Sequence, residues 1–118
     1  MPRLKVIFHV DEISKWRLLL KNVKNILDAE AEAERKLIVE VVANSHAVKV
    51  YDTTFDSDID TDIMLALHHR GVIFNACGSS VTMYDLNEDN LLDFVDEVPS
   101  GVMHLAVRQH EGYAYIKP

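Results

Sequence analysis

The sequence of 118 residues contains only one cysteine, four glycines and three prolines, and it has no long apolar run. The single Cys77 cannot form an internal disulfide, which excludes a disulfide-stapled secreted scaffold and a metal site built from several cysteines. No window approaches the roughly 18 uninterrupted apolar residues that cross a bilayer, and the N-terminus lacks the pattern of a cleavable signal peptide. We therefore expect a cytoplasmic protein without membrane contact.

Positive charge is also scarce. Twelve Lys and Arg residues stand against 19 Asp and Glu, which gives a net charge of -7, and the only dense run of one sign is acidic, from Asp52 to Asp62. Proteins that bind nucleic acid usually carry a basic stripe, so nucleic acid is not an expected partner. A hydrophobic fraction of 48% with 26% charged residues is sufficient for a core. Length and composition together predict a single globular domain over residues 1–118.

Short apolar runs alternate with amphipathic segments along the chain. Five runs predict strands, over residues 4–8, 37–42, 72–76, 94–98 and 113–116. The clearest helix is predicted between Ile13 and Leu27, and the tract 29–34 is expected to leave it as a connection. Alternating apolar strands and helices are typical of a parallel sheet covered on both faces. We predict a flavodoxin-like three-layer α/β/α sandwich with a five-stranded parallel sheet in the order 2-1-3-4-5.

The carboxyl ends of such strands are where this architecture binds ligands, near the point where the strand order reverses. In the predicted fold, residues 9–12, 44–46 and 77–80 meet there. Cys77 is the main candidate, because the backbone N–H groups and helix dipole that follow strand three favour a thiolate. A lone cysteine is also commonly buried as a small apolar side chain, so a packing role stays open.

Polar residues at the neighbouring strand ends are further candidates. His9, at the end of strand one, could stabilise the thiolate or move a proton, and its alternative role is a half-buried histidine bonded to nearby backbone. Asn44, Gly78, Ser79 and Ser80 are candidates for binding an anion or a sulfur adduct. The plainer role of these residues is turn formation and helix capping.

The sequence does not match the known motifs for binding metals or organic cofactors. The alternating aspartates from Asp56 to Asp62 start like a calcium loop, but Thr61 occupies the position that needs Gly and Leu67 the position that needs Glu. The glycines form no G-x-G-x-x-G, and the loop after strand one carries acids where a flavin phosphate needs hydroxyl groups. Strand three offers no carboxylate for phosphorylation. We therefore expect no metal and no organic cofactor.

Several segments together resemble the small stand-alone DsrE/DsrF-like proteins, and the resemblance covers nearly the whole chain. The segments are residues 71–80 around the thiol, 8–10, 42–44, 98–102 and 109–118. The resemblance implies a three-layer α/β fold and homo-oligomers such as trimers or hexamers. In the characterised sulfur-relay members it also implies a cysteine that carries sulfur as a persulfide, and Cys77 matches that position. Ser79 stands where the family pattern Cys-x-Asn-Ser/Thr has Asn.

Two hypotheses about function follow. In the first, Cys77 accepts sulfane sulfur from a donor protein or a small persulfide and passes it to an acceptor protein, through attack by the thiolate. In the second, the protein is a non-catalytic oligomeric module that binds a small ligand or another protein. Cys77 would then pack in the core or line a pocket between subunits.

Overall fold

The computed structural model describes residues 3–33 and 36–118. Its strands are β1 (Leu4–Val10), β2 (Leu37–Ala43), β3 (Ile73–Cys77), β4 (Val95–Val98) and β5 (Ala114–Ile116). Its α-helices are α1 (Trp16–Ala33), α2 (Thr61–His69), α3 (Gly78–Met83) and α4 (Gly101–His110), with 3₁₀ segments at Ile13–Lys15, Ser45–Tyr51 and Glu88–Asn90. The tract 29–34 was expected to be a connection, but α1 continues through Ala33 and Glu34 lies outside the described residues.

All strand pairs in the sheet are parallel, which confirms the predicted α/β class with a five-stranded parallel sheet. The predicted order 2-1-3-4-5 is wrong, because the strands lie in the order β4-β3-β2-β1-β5. The burial of the strands agrees with this order. The seven-residue β2 has five fully buried residues and suits the centre, whereas the three residues of β5 are all exposed and suit an edge.

The helices are distributed unequally over the two faces of the sheet. The steps from β1 to β4 all move in one direction, so right-handed crossovers place α1, α2 and α3 on one face, called here the first face. Its core includes Trp16 of α1, Met64 of α2 and Val81 of α3. The chain then returns across the sheet to β5, so α4 covers the opposite, second face, where Leu105 packs on Ile7 and Val42. Helices on both faces confirm the three layers.

Helix ends are set by short-range polar contacts. Asp60 caps α2, because its side chain accepts a hydrogen bond from the N–H of Asp62. Gly71 follows α2 with φ of +101°, a left-handed conformation that glycine adopts without strain. Ser100 caps α4 by accepting from the N–H of Met103 at 3.2 Å. No helix in residues 3–33 and 36–118 combines the length and apolar content of a bilayer-crossing segment.

The observed order moves the ligand-binding crevice of the sheet. β3 and β4 are neighbours, yet α3 follows β3 onto the first face and α4 follows β4 onto the second. Loops that leave neighbouring strands for opposite faces open a crevice at the carboxyl ends of those strands. The crevice is therefore expected between β3 and β4, not between strands one and three. Cys77 is the last residue of β3, so it still lies at this point.

Candidate functional site

The Cys77 thiol lies where the first turns of α3 and α4 converge. The side chain is 5% exposed, and this burial raises the pKa of the thiol. The Ser80 hydroxyl and the backbone N–H groups of Gly101, Ser80 and Ser79 lower it by more, so the pKa of Cys77 is below its usual value. Donors from two helix starts therefore surround one sulfur. This arrangement favours a thiolate, which is the nucleophilic form of cysteine.

Gly101 allows α4 to approach the sulfur closely. A Cβ built on Gly101 would lie 2.9 Å from the Cβ of Cys77, 3.2 Å from Cγ1 of Val42 and 3.4 Å from the sulfur. Gly78 is crowded in the same way by the other loop of the crevice, since its Cβ would lie 2.9 Å from the carbonyl oxygen of Val98. Both glycines are therefore needed for the close packing of the β3 and β4 loops around the thiol.

Ser80 connects the thiol to the end of β2. Its hydroxyl oxygen accepts a hydrogen bond from the N–H of Ser45 at 2.8 Å, while the same hydroxyl group faces the sulfur of Cys77. Ser45 has φ of 53°, a left-handed conformation that costs a non-glycine residue of order 1 kcal/mol or more. The strained residue thus directs its N–H at a group that contacts the thiol.

His9 and Asn44 form a second polar group at the same edge. His9 Nε2 lies 2.8 Å from Oδ1 of Asn44, and Nδ1 lies 2.6 Å from the Tyr115 hydroxyl. An amide oxygen only accepts, so Nε2 donates to Asn44, and in the neutral ring Nδ1 then accepts from Tyr115. Burial raises the pKa of Tyr115, which keeps that hydroxyl protonated. Both ring nitrogens of His9 are therefore engaged.

The predicted site residues fall into two groups at one edge. Cys77, Gly78, Ser79 and Ser80 share the loop after β3, and the Ser79 hydroxyl donates to the carbonyl of Pro99 at 3.2 Å while its N–H faces the sulfur. His9 and Asn44 form the other group. Strand β2 lies between β1 and β3, so His9 and Cys77 arise from backbones about 10 Å apart. A direct proton transfer between them stays a prediction.

Gly101 and Tyr115 were not predicted at the site, and Ser45 lies in the range 44–46 that was expected there but was given no role. Gly101 carries a signal, since a glycine directly after the capping Ser100 starts a helix where a better helix former would be expected. Tyr115 was placed far from His9 because strand five was expected beside strand four, whereas β5 pairs with β1. The donor role of Ser45 carries no signal, because its left-handed backbone is not marked by a glycine.

The acidic run from Asp52 to Asp62 is occupied by local contacts. Asp52 accepts from the N–H and hydroxyl of Thr54, Asp58 pairs with Arg17 at 2.7 Å, and Asp60 caps α2. Within the residues that the structure describes, no three His, Cys, Asp or Glu side chains are grouped to hold a metal ion.

Comparison with known proteins finds solved structures that match nearly the whole chain. No protein-family model and no curated protein matches it. Among solved structures, MTH1491 from Methanobacterium thermoautotrophicum, a protein of unknown function, is 38% identical over 98% of this chain and 99% of that chain, with a TM-score of 0.84. This chain belongs to the same family as MTH1491. The ychN protein of E. coli covers 98% of this chain and 99% of its own at 17% identity and a TM-score of 0.68, which shows the fold alone. This chain therefore has a DsrE/YchN-type fold.

Proposed function

We propose that this relative of MTH1491 is a DsrE/DsrF-like sulfur carrier of the cytoplasm, in which Cys77 holds sulfane sulfur as a persulfide. The observation that supports the proposal is the ring of donors around the sulfur: three backbone N–H groups and the Ser80 hydroxyl, which together lower the pKa of the thiol despite its burial. A reducing compartment keeps such a thiol free. The chemistry uses the thiol alone, without a metal or organic cofactor.

Sulfur transfer to Cys77 balances without an oxidant. The Cys77 thiolate attacks the outer sulfur of a donor persulfide, R–S–SH, so a new S–S bond forms while the S–S bond of the donor breaks. The donor leaves as a thiolate, R–S⁻, which takes a proton from solvent. In the second half, a nucleophile of an acceptor protein attacks the outer sulfur and Cys77 leaves as the thiolate. The same N–H groups that stabilise the attacking thiolate then stabilise the leaving one.

Intact-mass spectrometry after exposure to a small persulfide tests this function. The wild-type protein is expected to gain about 32 Da, the mass of one sulfur atom, and to lose it with dithiothreitol. Cys77→Ser should gain nothing. Because that variant has no thiol at all, a matched control is Cys77→Ser with Met83→Cys, which places one thiol at a position that is 74% exposed in the wild type.

The expected result is faster uptake at pH 6.5 by the wild type than by the double variant, although the thiol of the double variant is far more exposed. A lowered pKa increases the thiolate fraction at that pH, and the thiolate is the reacting form. The proposal is wrong if the wild type gains no reversible adduct, or gains it no faster than the surface thiol.

The burial of Cys77 favours a second candidate function. The side chain is 5% exposed and belongs to the apolar core of the first face. A buried thiol of this kind serves packing, and the protein is then a non-catalytic module that binds a small ligand or a protein. Native-state alkylation separates the two functions. A carrier reacts at pH 6.5, whereas the thiol of a binding module reacts only after denaturation.

The outer surface of α4 supports a homo-oligomer, such as a trimer or hexamer, as part of the proposal. Val102, Met103 and Val107 are 66%, 63% and 44% exposed, and Val98 and Pro99 extend this apolar surface beside the crevice. Exposed apolar patches of this kind mark contact surfaces. Sedimentation velocity is expected to show an oligomer for the wild type and a shift toward monomer for Met103→Glu. A monomeric wild type contradicts this part of the proposal.

A further inference from the structure

A buried carboxylate, Glu40, lies at the centre of the second face and has no part in the proposed sulfur chemistry. It is 2% exposed, in the middle of β2. Its Oε1 accepts from Asn75 Nδ2 at 3.0 Å and from His104 Nε2 at 2.8 Å, and Oε2 lies 2.7 Å from Arg108 Nε. Burial raises the pKa of Glu40, but His104, Asn75 and the charge of Arg108 lower it by more, so the group stays a carboxylate.

Three partners of Glu40 belong to α4, which supplies one donor to the thiol, and to β3, which supplies the thiol itself, while Tyr113, between α4 and β5, also faces the carboxylate. His104 and Arg108 lie one turn apart on α4, whose first residue, Gly101, directs its N–H at the sulfur. Asn75 precedes Cys77 by two residues on β3. The Glu40 carboxylate therefore connects α4, which supplies the Gly101 N–H, to β3, which supplies the Cys77 sulfur.

Besides the polar contacts of Glu40, few apolar contacts hold α4 against the sheet. Among the described residues, the buried apolar cluster of the second face contains only Ile7, Val42 and Leu105, with Tyr113 packed against it. Leu105 is the only one of these on α4. One leucine restrains the position of a ten-residue helix weakly, because apolar contacts are not directional. The hydrogen bond from His104 to the charged group is directional, and together with the ion pair to Arg108 it restrains where α4 sits along the sheet.

We propose that Glu40 is a positioning residue for Cys77: through His104 and Arg108 it fixes α4 so that the N–H of Gly101 reaches the sulfur. This inference rests on the proposed function in that it concerns the same thiol. It adds that the reactivity of the thiol is controlled from the middle of the sheet, by a group that touches neither the sulfur nor its substrates.

The pH profile of Cys77 alkylation tests the role of Glu40. Glu40→Gln removes the charge and keeps the size of the side chain. The loss of one hydrogen bond to a thiolate corresponds to about one pKa unit, so we expect the midpoint of the profile to rise by about one pH unit and the rate at pH 6.5 to fall about tenfold. Arg108→Gln changes a side chain that is 30% exposed, so it tolerates substitution better, and it should shift the midpoint in the same direction.

A control variant separates positioning from general loss of stability. Val39 precedes Glu40 on β2 but faces the core of the first face, so Val39→Ala loosens the same strand without touching α4. Its profile is expected to match the wild type. The inference is overturned if Glu40→Gln and Arg108→Gln fold and keep the wild-type midpoint, or if Val39→Ala shifts it equally. A wild-type thiol with an ordinary midpoint would instead count against the proposed sulfur chemistry, before any variant is compared.

Discussion

Replacing Gly101 with alanine is expected to slow alkylation of Cys77 at pH 6.5 by tenfold or more. This corresponds to an increase of about one to two units in the pKa of the thiol. The added Cβ would lie 2.9 Å from the Cβ of Cys77 and 3.2 Å from Cγ1 of Val42, and both of these side chains are buried. Neither neighbour can move away, so the start of α4 must shift outward. The N–H of residue 101 then withdraws from the sulfur, and the pKa of the thiol rises. Below its pKa, the thiolate fraction falls tenfold for each unit of increase.

Rates of alkylation by iodoacetamide between pH 5 and 9 measure this effect. Ser80→Ala is the useful comparison, because it removes a donor to the sulfur while α4 stays in place. The Ser80 hydroxyl lowers the pKa of the thiol more than the Gly101 N–H does, so the shift in Ser80→Ala should be at least as large. Val102→Ala is the matched control, since Val102 is the next residue of the same helix and is 66% exposed. Equal midpoints for Gly101→Ala and Val102→Ala, with native circular dichroism for both, would show that α4 does not activate the thiol.

The positions of the strands along the chain and their burial could be predicted from the sequence, but the order of the strands in the sheet could not. Apolar runs such as Leu37–Ala43 mark a strand buried on both faces whatever its neighbours are. Right-handed crossovers are satisfied by more than one order, however, because the rule fixes the face of a helix only after the direction of each step is known. Here α4 carries the chain back over the whole sheet, and β5 pairs with β1. That long step has no local signature.

In the candidate site as well, features formed by residues adjacent in sequence could be predicted, whereas contacts between distant segments could not. Cys77 at the end of β3, followed by N–H groups of a helix start, could be predicted because these features are adjacent in sequence. The predicted order also places strand four beside strand three, but Gly101 contacts the thiol because α4 crosses to the second face, which that order does not predict. Tyr115 reaches His9 only because β5 pairs with β1. Contacts that depend on the strand order could therefore not be predicted from the sequence.

Trp16→Ala is expected to lower the free energy of unfolding by about 3–5 kcal/mol, a large part of the 5–15 kcal/mol typical of a domain. Trp16 is fully buried at the start of α1, with its ring centroid 5.3 Å from that of Tyr51. Its indole N–H donates to the carbonyl of Ala47 at 3.0 Å. The substitution leaves a cavity between α1 and the 3₁₀ segment Ser45–Tyr51 and removes the hydrogen bond to Ala47.

Urea unfolding followed by far-UV circular dichroism measures this loss, since the substitution removes the only tryptophan. Leu18→Ala is the matched control, because Leu18 is 45% exposed on the same helix and should cost less than 1 kcal/mol. Trp16→Phe should fall between them, as it keeps most of the ring and loses the hydrogen bond to Ala47. The loss also reaches the thiol, because the segment that Trp16 holds supplies the Ser45 N–H to Ser80. If Trp16→Ala unfolds at the same urea concentration as Leu18→Ala, Trp16 does not anchor that segment.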